Sequence, residues 1–418
     1  MKLLNVDTIE QAREKIFSNI KSWRRKTKTV SINESLGCIL AEDVYASCDI
    51  PSFRRSTVDG YAVIAADTAA ASDAIPVFLK LKGSVSMGKP ALLSINGGEC
   101  AYVPTGGMLP DGADAVVMIE YCESSQQKQC AGGVIAVYEA AASGAGTVET
   151  GEDFQNGKLL LKKGCSIRAQ EIGALCAAGI SNINVFVPLT LSIFSTGDEI
   201  IPPEKNPAPG QVRDINTNML TALAVKSGYN AGGTRILGDD EAAIEAAVRE
   251  AAVYSDIVLI SGGSSQGEKD FTAGVIDRIA KPGVFTHGLA VKPGKPTIIG
   301  WDEESKTLFA GLPGHPVSAM MIFTLLFSSL QSQSSFPVPA KISCNVPGSP
   351  GRTVCLPVIL EFKNEISGEA SGETYIAQPV FGKAGMISTL TNADGFIIID
   401  LNKEGLKKDE PVLVHLFI

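Results

Sequence analysis

The sequence predicts a multidomain protein of mixed class, in which a doubly wound, mostly parallel α/β domain stands between two β-rich regions. Three observations predict it. Strand-like apolar runs alternate with helix-period stretches from residue 188 to 330. Short apolar runs cut by Gly, Pro, Asp and Ser turns fill residues 50–150 and return after 341. The chain has 418 residues, which corresponds to about three domains at roughly 150 residues each.

The elements follow in order. Asp7-Thr8-Ile9-Glu10 has the form of a capping box, and Ile9, Ala12, Ile16 and Ile20 recur at helical spacing. A helix is predicted over 8–21. The basic run from Arg24 to Lys28 reads as its solvated end. The runs PVFLKLKG, GGECAYVP, DAVVMIEY and GGVIAVYEA read as short strands, and 140–146 as a loop. Leu189–Phe194 is a predicted strand, with Ser195-Thr196-Gly197-Asp198-Glu199 as the polar loop after it. Thr217–Lys226 reads as a helix and Thr234–Leu237 as a strand. Asp239-Asp240 opens a helix carrying Ile244, Ala247, Val248 and Ala251. Asp256–Ile260 is a buried strand, followed by Ser261-Gly262-Gly263 and a helix over 271–280. Thr307–Ala310 is the last strand of the domain, and Pro316–Leu330 a long apolar helix. Residues 331–341 read as a linker; TVCLPVILEF, TYIAQPV, GFIIIDL and EPVLVHLFI then form a small β domain.

Composition excludes several classes. Hydrophobic residues make up 45% and the net charge is −9, so the chain is globular and a poor general nucleic-acid binder. The first residues form no signal-peptide core, and no apolar run approaches the length of a membrane span. The nine cysteines contain no CxxC pair. They are expected to be small buried residues of a reduced, cytoplasmic protein.

Some motifs are decoys. Gly83-Ser-Val-Ser-Met-Gly88-Lys89-Pro90 fits a P-loop except at its last position, where proline lacks the hydroxyl needed for Mg²⁺. No G-x-G-x-x-G follows a strand, and three histidines make a Ser-His-Asp triad a weak reading. The carboxylates carry more. Asp198, Glu199, Asp239, Asp240, Glu268 and Asp270 all follow predicted strands, which places them on one rim of the sheet. Mg²⁺ held by one or two carboxylates and substrate phosphates would join them. Taken singly, each is equally well read as a helix N-cap. Gly262 and Gly263 open a loop whose N–H groups can face a phosphate. Lys292-Pro-Gly-Lys295-Pro296 puts two cations on a stiff loop suited to an anion, and Gly311-Leu-Pro-Gly-His-Pro-Val-Ser318 turns from strand to helix.

These residues resemble the motifs of a known family. The chain resembles the molybdopterin molybdenumtransferases, the bacterial MoeA proteins and the E domains of relatives such as gephyrin. The resemblance covers nearly the whole chain. It is carried by Ser56-Thr-Val-Asp-Gly-Tyr-Ala-Val63, by Pro104-Thr-Gly-Gly-Met-Leu-Pro-Asp-Gly-Ala-Asp-Ala-Val-Val117 and by Gly151-Glu-Asp153. Ser195–Glu199, Ser261–Asp270, Lys292–Pro296 and Gly311–Ala319 follow in family order. Departures are Val58 for Met, the basic pair Arg54-Arg55, His315 for Asn, and His287-Gly288 where some members carry lysine.

The resemblance implies a molybdopterin-binding α/β domain over 183–331 and a small C-terminal β-barrel domain over 332–418. It also implies an elongated linker domain from 1–48 with 150–182, and an inserted β domain over 49–149. It implies a homodimer with Asp59 and Thr105 supplied by the second subunit. The implied reaction is Mg²⁺-dependent insertion of molybdate into adenylylated molybdopterin, with release of AMP. A molybdopterin adenylyltransferase would act upstream and a molybdoenzyme or chaperone downstream; neither nucleic acid nor membrane is implied. Asp59, Thr105, Asp153, Glu199, Asp239 and Asp270 are the implied catalytic residues, with Glu199, Asp239 and Asp270 on the metal. Ser195, Thr196, Gly197, Asp198, Ser261, Gly262, Gly263, Lys292, Lys295, Pro313, Pro316, Ser318 and Ser388 are the implied substrate contacts. A tungstate-inserting paralogue and a non-catalytic pterin-binding or scaffold protein remain open alternatives on the same fold.

Overall fold

The computed structural model describes residues 6–21, 23, 25–124, 132–262, 271–331, 336–367 and 370–417, with the side chains of 364–367 and 370–373 excepted. The chain forms two compact units, one of residues 1–26 with 186–418 and one of residues 27–185.

The first unit opens with α1, Ile9–Ile20, which buries Ile9, Ala12 and Ile16. Its cap differs from the predicted one. Thr8 is the N-cap, and its side chain and that of Gln11 each bond the other's backbone N–H. Asp7 is spent elsewhere: its carboxylate accepts from Lys15 Nζ at 2.7 and 2.8 Å and from Thr286 Oγ1 at 2.7 Å. Of the basic run, Arg24 lies outside the described residues, and residues 25–28 stand beyond the helix rather than at its end. α1 stops at Ile20 and a strand begins at Thr27. Arg25 lies 4.7 Å from the centre of the Phe186 ring and donates to Gln331 Oε1 at 2.8 Å.

Next come β1 (Thr190–Thr196), α2 (Asn216–Lys226), β2 (Asn230–Leu237), α3 (Glu241–Ala252) and β3 (Ile257–Ser261). After them come α4 (Phe271–Ile279), β4 (Pro282–His287), β5 (Ile298–Asp302), β6 (Thr307–Leu312) and α5 (Pro316–Leu326). The sheet order is β2-β1-β3-β6-β5-β4. Its first four strands are parallel and the last two antiparallel. β3, β5 and β6 are buried at every residue, as strands covered on both faces must be. α1, α2 and α5 pack on one face through Ile16, Leu220 and Phe323. α3 and α4 pack on the other through Val248 and Val275. The predicted register of α3 is observed, since Ile244, Ala247, Val248 and Ala251 are its buried residues. Two details differ from expectation. Ser195 and Thr196 continue β1 rather than starting the loop, and β4 and β5 extend the sheet beyond the predicted strands.

The C-terminal part contains β7 (Val338–Ile342), β8 (Thr353–Ser367), β9 (Ala370–Pro379), β10 (Gly395–Ile399) and β11 (Pro411–Leu416). They pair in the order β8-β9-β7-β11-β10, and β8 also pairs with β10, which closes a barrel. The expected linker is shorter than 331–341. Gln331 is a buried helical residue and β7 begins at Val338.

In the second unit a six-stranded sheet contains, among others, Gly60–Val63, Val77–Ser84, Glu99–Val103, Ala115–Met118 and Val134–Val137. Its cores centre on Leu79, Cys100 and Val117, and on Ala101, Val103 and Val116. A separate core joins residues near both ends of the unit, including Leu40, Leu160, Leu175 and Val185. The cysteines are less uniformly buried than expected. Among those described, Cys100 and Cys355 are buried, Cys176 is exposed and the others are intermediate. Burial pushes the thiols of Cys100 and Cys355 up to about 12.

Candidate functional site

Strand order reverses direction between β1 and β3, which is the switch point where open α/β sheets bind ligands. A cavity of about 710 Å³ opens there. Its wall includes Ser195, Thr196 and Gly197 at the end of β1, Ser261 and Gly262 at the end of β3, and Pro313 to Pro316 between β6 and α5. Glu199, Asp214, Asn216 and Asp239 add polar groups, and Gly385 reaches it from the C-terminal region.

Local structure explains how these residues meet. Beyond β1 the chain makes a short parallel ladder, with Ile200–Ile201 against Val212–Arg213. That ladder returns Asp214 to the strand end, just before α2 begins at Asn216. Ser195 Oγ donates to Asp214 Oδ1 at 2.8 Å and shares a 2.7 Å bond with Thr217 Oγ1. The Thr217 N–H donates to the same carboxylate oxygen at 3.2 Å. Since the one Ser195 hydroxyl proton goes to Asp214, the Thr217 hydroxyl is the donor to Ser195. Asn216 Nδ2 donates to Ser261 Oγ at 2.8 Å and to the Gly314 carbonyl at 2.7 Å, tying α2 to β3 and to the β6–α5 turn.

Gly262 must be glycine. Its φ is +115°, and a Cβ there would lie 2.3 Å from the Thr196 carbonyl oxygen. Pro316 occupies the first turn of α5, where its missing N–H costs nothing. The Val317 N–H donates to the Ala384 carbonyl at 3.2 Å, which brings the 384–385 segment to the cavity rim.

The structure brings together much of the predicted set. Ser195, Thr196, Gly197, Glu199, Asp239, Ser261, Gly262, Pro313 and Pro316 all line the cavity. Asp198 does not; its carboxylate accepts from the Asp239 N–H at 2.9 Å and so holds the turn that carries Asp239. Asp240 is a helix N-cap, accepting from the Ala242 and Ala243 N–H groups. Gly263, Glu268 and Asp270 lie outside the described residues. Lys292, Lys295, Ser318 and Ser388 are not on the cavity wall, although Pro296 of the lysine loop is. Ser318 is buried within α5, and Ser388 is exposed at the start of a short helix.

Asp59, Thr105 and Asp153 belong to the second unit. Asp59 Oδ1 accepts from the Thr105 N–H at 2.9 Å, which ties two exposed loops together. Asp153 sits on another turn, its N–H donating to the Ile50 carbonyl at 3.0 Å.

Sequence reasoning missed Asp214 and Asn216. The available signal was a short polar stretch, Arg213-Asp214-Ile215-Asn216, immediately before a predicted helix. Among the described residues no three His, Cys, Asp or Glu side chains are grouped as metal ligands would be. Glu199 and Asp239 share the cavity wall. Two carboxylates suit Mg²⁺, which takes few protein ligands and completes its shell with phosphate and water. No helix among the described residues is long and apolar enough to cross a membrane.

Comparison with known proteins agrees along the chain. Residues 7–179 match the family described as "MoeA N-terminal region (domain I and II)". Residues 192–332 match "Probable molybdopterin binding domain", and 339–417 match "MoeA C-terminal region (domain IV)". A protein of Methanocaldococcus jannaschii named for molybdopterin biosynthesis is 31% identical over 431 aligned positions, covering 100% of both chains. The molybdopterin molybdenumtransferase of Haemophilus influenzae is 28% identical and covers 98% of each. A crystal structure of the MoeA molybdopterin biosynthesis protein from Pyrococcus horikoshii is 35% identical, with a TM-score of 0.74 over 99% of this chain and 100% of that one. The chain belongs to the molybdopterin molybdenumtransferase (MoeA) family, whose work is molybdenum cofactor biosynthesis.

Proposed function

We propose that this protein transfers molybdenum from molybdate to the dithiolene of adenylylated molybdopterin and releases AMP. The observation that carries the reading is the switch-point cavity, whose 710 Å³ is of the size that takes a cofactor-sized ligand. Its polar groups have separate tasks. Ser195, Asp214 and Thr217 form a closed hydrogen-bonded set that keeps the end of β1 and the start of α2 rigid. The N-terminal turns of α2 and α5 border the cavity and favour the anionic part of the ligand. Glu199 and Asp239 would hold Mg²⁺, with Asp270 as a further ligand from the sequence reading. When bound, Mg²⁺ supplies neutralisation of charge developing on the phosphate. Lys292 and Lys295 form no ion pair among the described residues, which leaves them available to phosphate or molybdate.

In the same reading the working form is a homodimer in which Asp59 and Thr105 act from a second copy, and Asp153 and Ser388 assist. The proposed domain division is 1–48 with 150–182, 49–149, 183–331 and 332–418. The separate core shared by Leu40, Leu160 and Leu175 supports treating 49–149 as an insertion.

The test is AMP release from the purified chain given adenylylated molybdopterin, Mg²⁺ and either molybdate or tungstate. Release that depends on the oxyanion, with active cofactor formed, is expected, and the preferred anion names the metal. Tight binding without release would instead assign the cavity to carriage or scaffolding.

A further inference from the structure

Two buried polar atoms on the cavity wall have no hydrogen-bond partner among the described residues, Thr196 Oγ1 and Asn216 Oδ1. Thr196 is 3% exposed and Asn216 7%. The amide of Asn216 cannot turn over to hide its oxygen, because both hydrogens of Nδ2 are committed to Ser261 Oγ and the Gly314 carbonyl. What remains is a fixed acceptor. Gly262 places the two atoms in one neighbourhood. A Cβ on Gly262 would lie 2.8 Å from Thr196 Oγ1, and its Cα lies 3.7 Å from where a Cβ on Gly314 would stand. Buried acceptors without a donor are rare in native folds and call for an explanation.

We propose that Asn216 and Thr196 read the amino-heterocycle of the ligand, with Asn216 Oδ1 accepting from a ring or exocyclic N–H. The inference rests on the substrate reading above, in which the pterin and the adenine both carry such groups. Asn216 is the first residue of α2. A full positive charge is disfavoured at a helix N-terminus, so a neutral N–H suits this oxygen better than a cation does. The Thr196 hydroxyl both donates and accepts, and so pairs with a ring N–H or with the neighbouring ring oxygen. Together they fix the orientation of the heterocycle, while the carboxylates and helix N-termini act on its charged substituents.

The test is calorimetric titration of the full-length protein with molybdopterin and, separately, with AMP. Thr196→Val keeps the shape and removes the hydroxyl. It is expected to weaken molybdopterin binding about tenfold, the loss of roughly one hydrogen bond to a buried group. AMP binding should be unchanged. The melting temperature should stay level or rise, since an unpaired buried hydroxyl has been removed; a merely structural Thr196 would lower it. Asn216→Ala should weaken molybdopterin at least as much, with retained AMP binding showing that the variant is folded. Weakened AMP binding in place of molybdopterin supports the same acceptor role and assigns it to adenine. Wild-type protein that binds neither ligand overturns the substrate reading and this inference with it. Wild-type protein that binds both, with neither variant altering either affinity, overturns this inference alone.

Discussion

Two cavities in the first unit are of similar size and differ in what their walls leave unpaired. One of about 710 Å³ opens at the strand ends, and one of about 600 Å³ is bordered by α1, α2, α5 and the barrel. The second is lined by aromatic and charged residues and would pass as a site on composition. Arg13, Thr324, Ser328 and Asp400 on its wall are engaged within the chain. Arg13 donates from Nε and Nη2 to the Leu325 carbonyl at 2.8 and 2.6 Å, closing off the end of α5. His415 stacks on Phe396 with ring centres 5.3 Å apart, and burial, then nearby Arg13, push its pKa down and favour the neutral ring. No buried side-chain atom on that wall is left without a partner among the described residues, whereas the strand-end cavity has two. Unspent hydrogen-bonding capacity, rather than volume, separates the proposed ligand site from the other cavity.

Three substitutions sharpen or break that comparison. The largest effect is expected at Glu199, an exposed side chain on the strand-end cavity. Glu199→Ala should lower AMP release by about 10³-fold. Its unfolding midpoint should hardly move, since surface substitutions of this kind stay within about 0.5 kcal/mol. Wild-type turnover in this variant would remove Glu199 from the chemistry. Next is Asp214→Ala, which strands the Ser195 hydroxyl and the Thr217 N–H. A loss of about 2–3 kcal/mol is expected in denaturant unfolding. An unchanged midpoint would show that the network is not what holds the strand end. The smallest effect belongs to the other cavity. Arg13→Ala should cost about 1–2 kcal/mol through the uncapped carbonyl of Leu325, with AMP release unaltered. A fall in turnover without a fall in stability would make that cavity functional after all.

The sequence was most informative where the governing contacts are local. Ile244, Ala247, Val248 and Ala251 are four points on one helical stripe, and all four are buried. The β–α alternation is likewise a short-range pattern; it located the end of β2, and the ends of β1 and β3 to within two residues, and hence Glu199 and Asp239 just beyond them. It failed where two local readings compete and a distant group decides. Asp7 and Thr8 both suit a helix cap, and the contest is settled by Lys15 and Thr286, which claim the Asp7 carboxylate. β4 and β5 escaped because Pro282, Gly283 and Gly300 interrupt their apolar runs; they are strands through antiparallel pairing with each other and of β5 with β6. Asn216 was invisible for the same reason. Its meaning depends on Ser261, 45 residues away, and on Gly314, 98 residues away. Family resemblance supplied the motif residues on the wall, but not the neutral acceptor beside them.

The most direct measurement of the central claim is a crystal structure of the protein soaked with molybdopterin. The account predicts density in the strand-end cavity, with a pterin nitrogen within hydrogen-bond distance of Asn216 Oδ1 and the 600 Å³ cavity unchanged. Molybdopterin bound between α1, α2, α5 and the barrel, with Thr196 and Asn216 untouched, would contradict it.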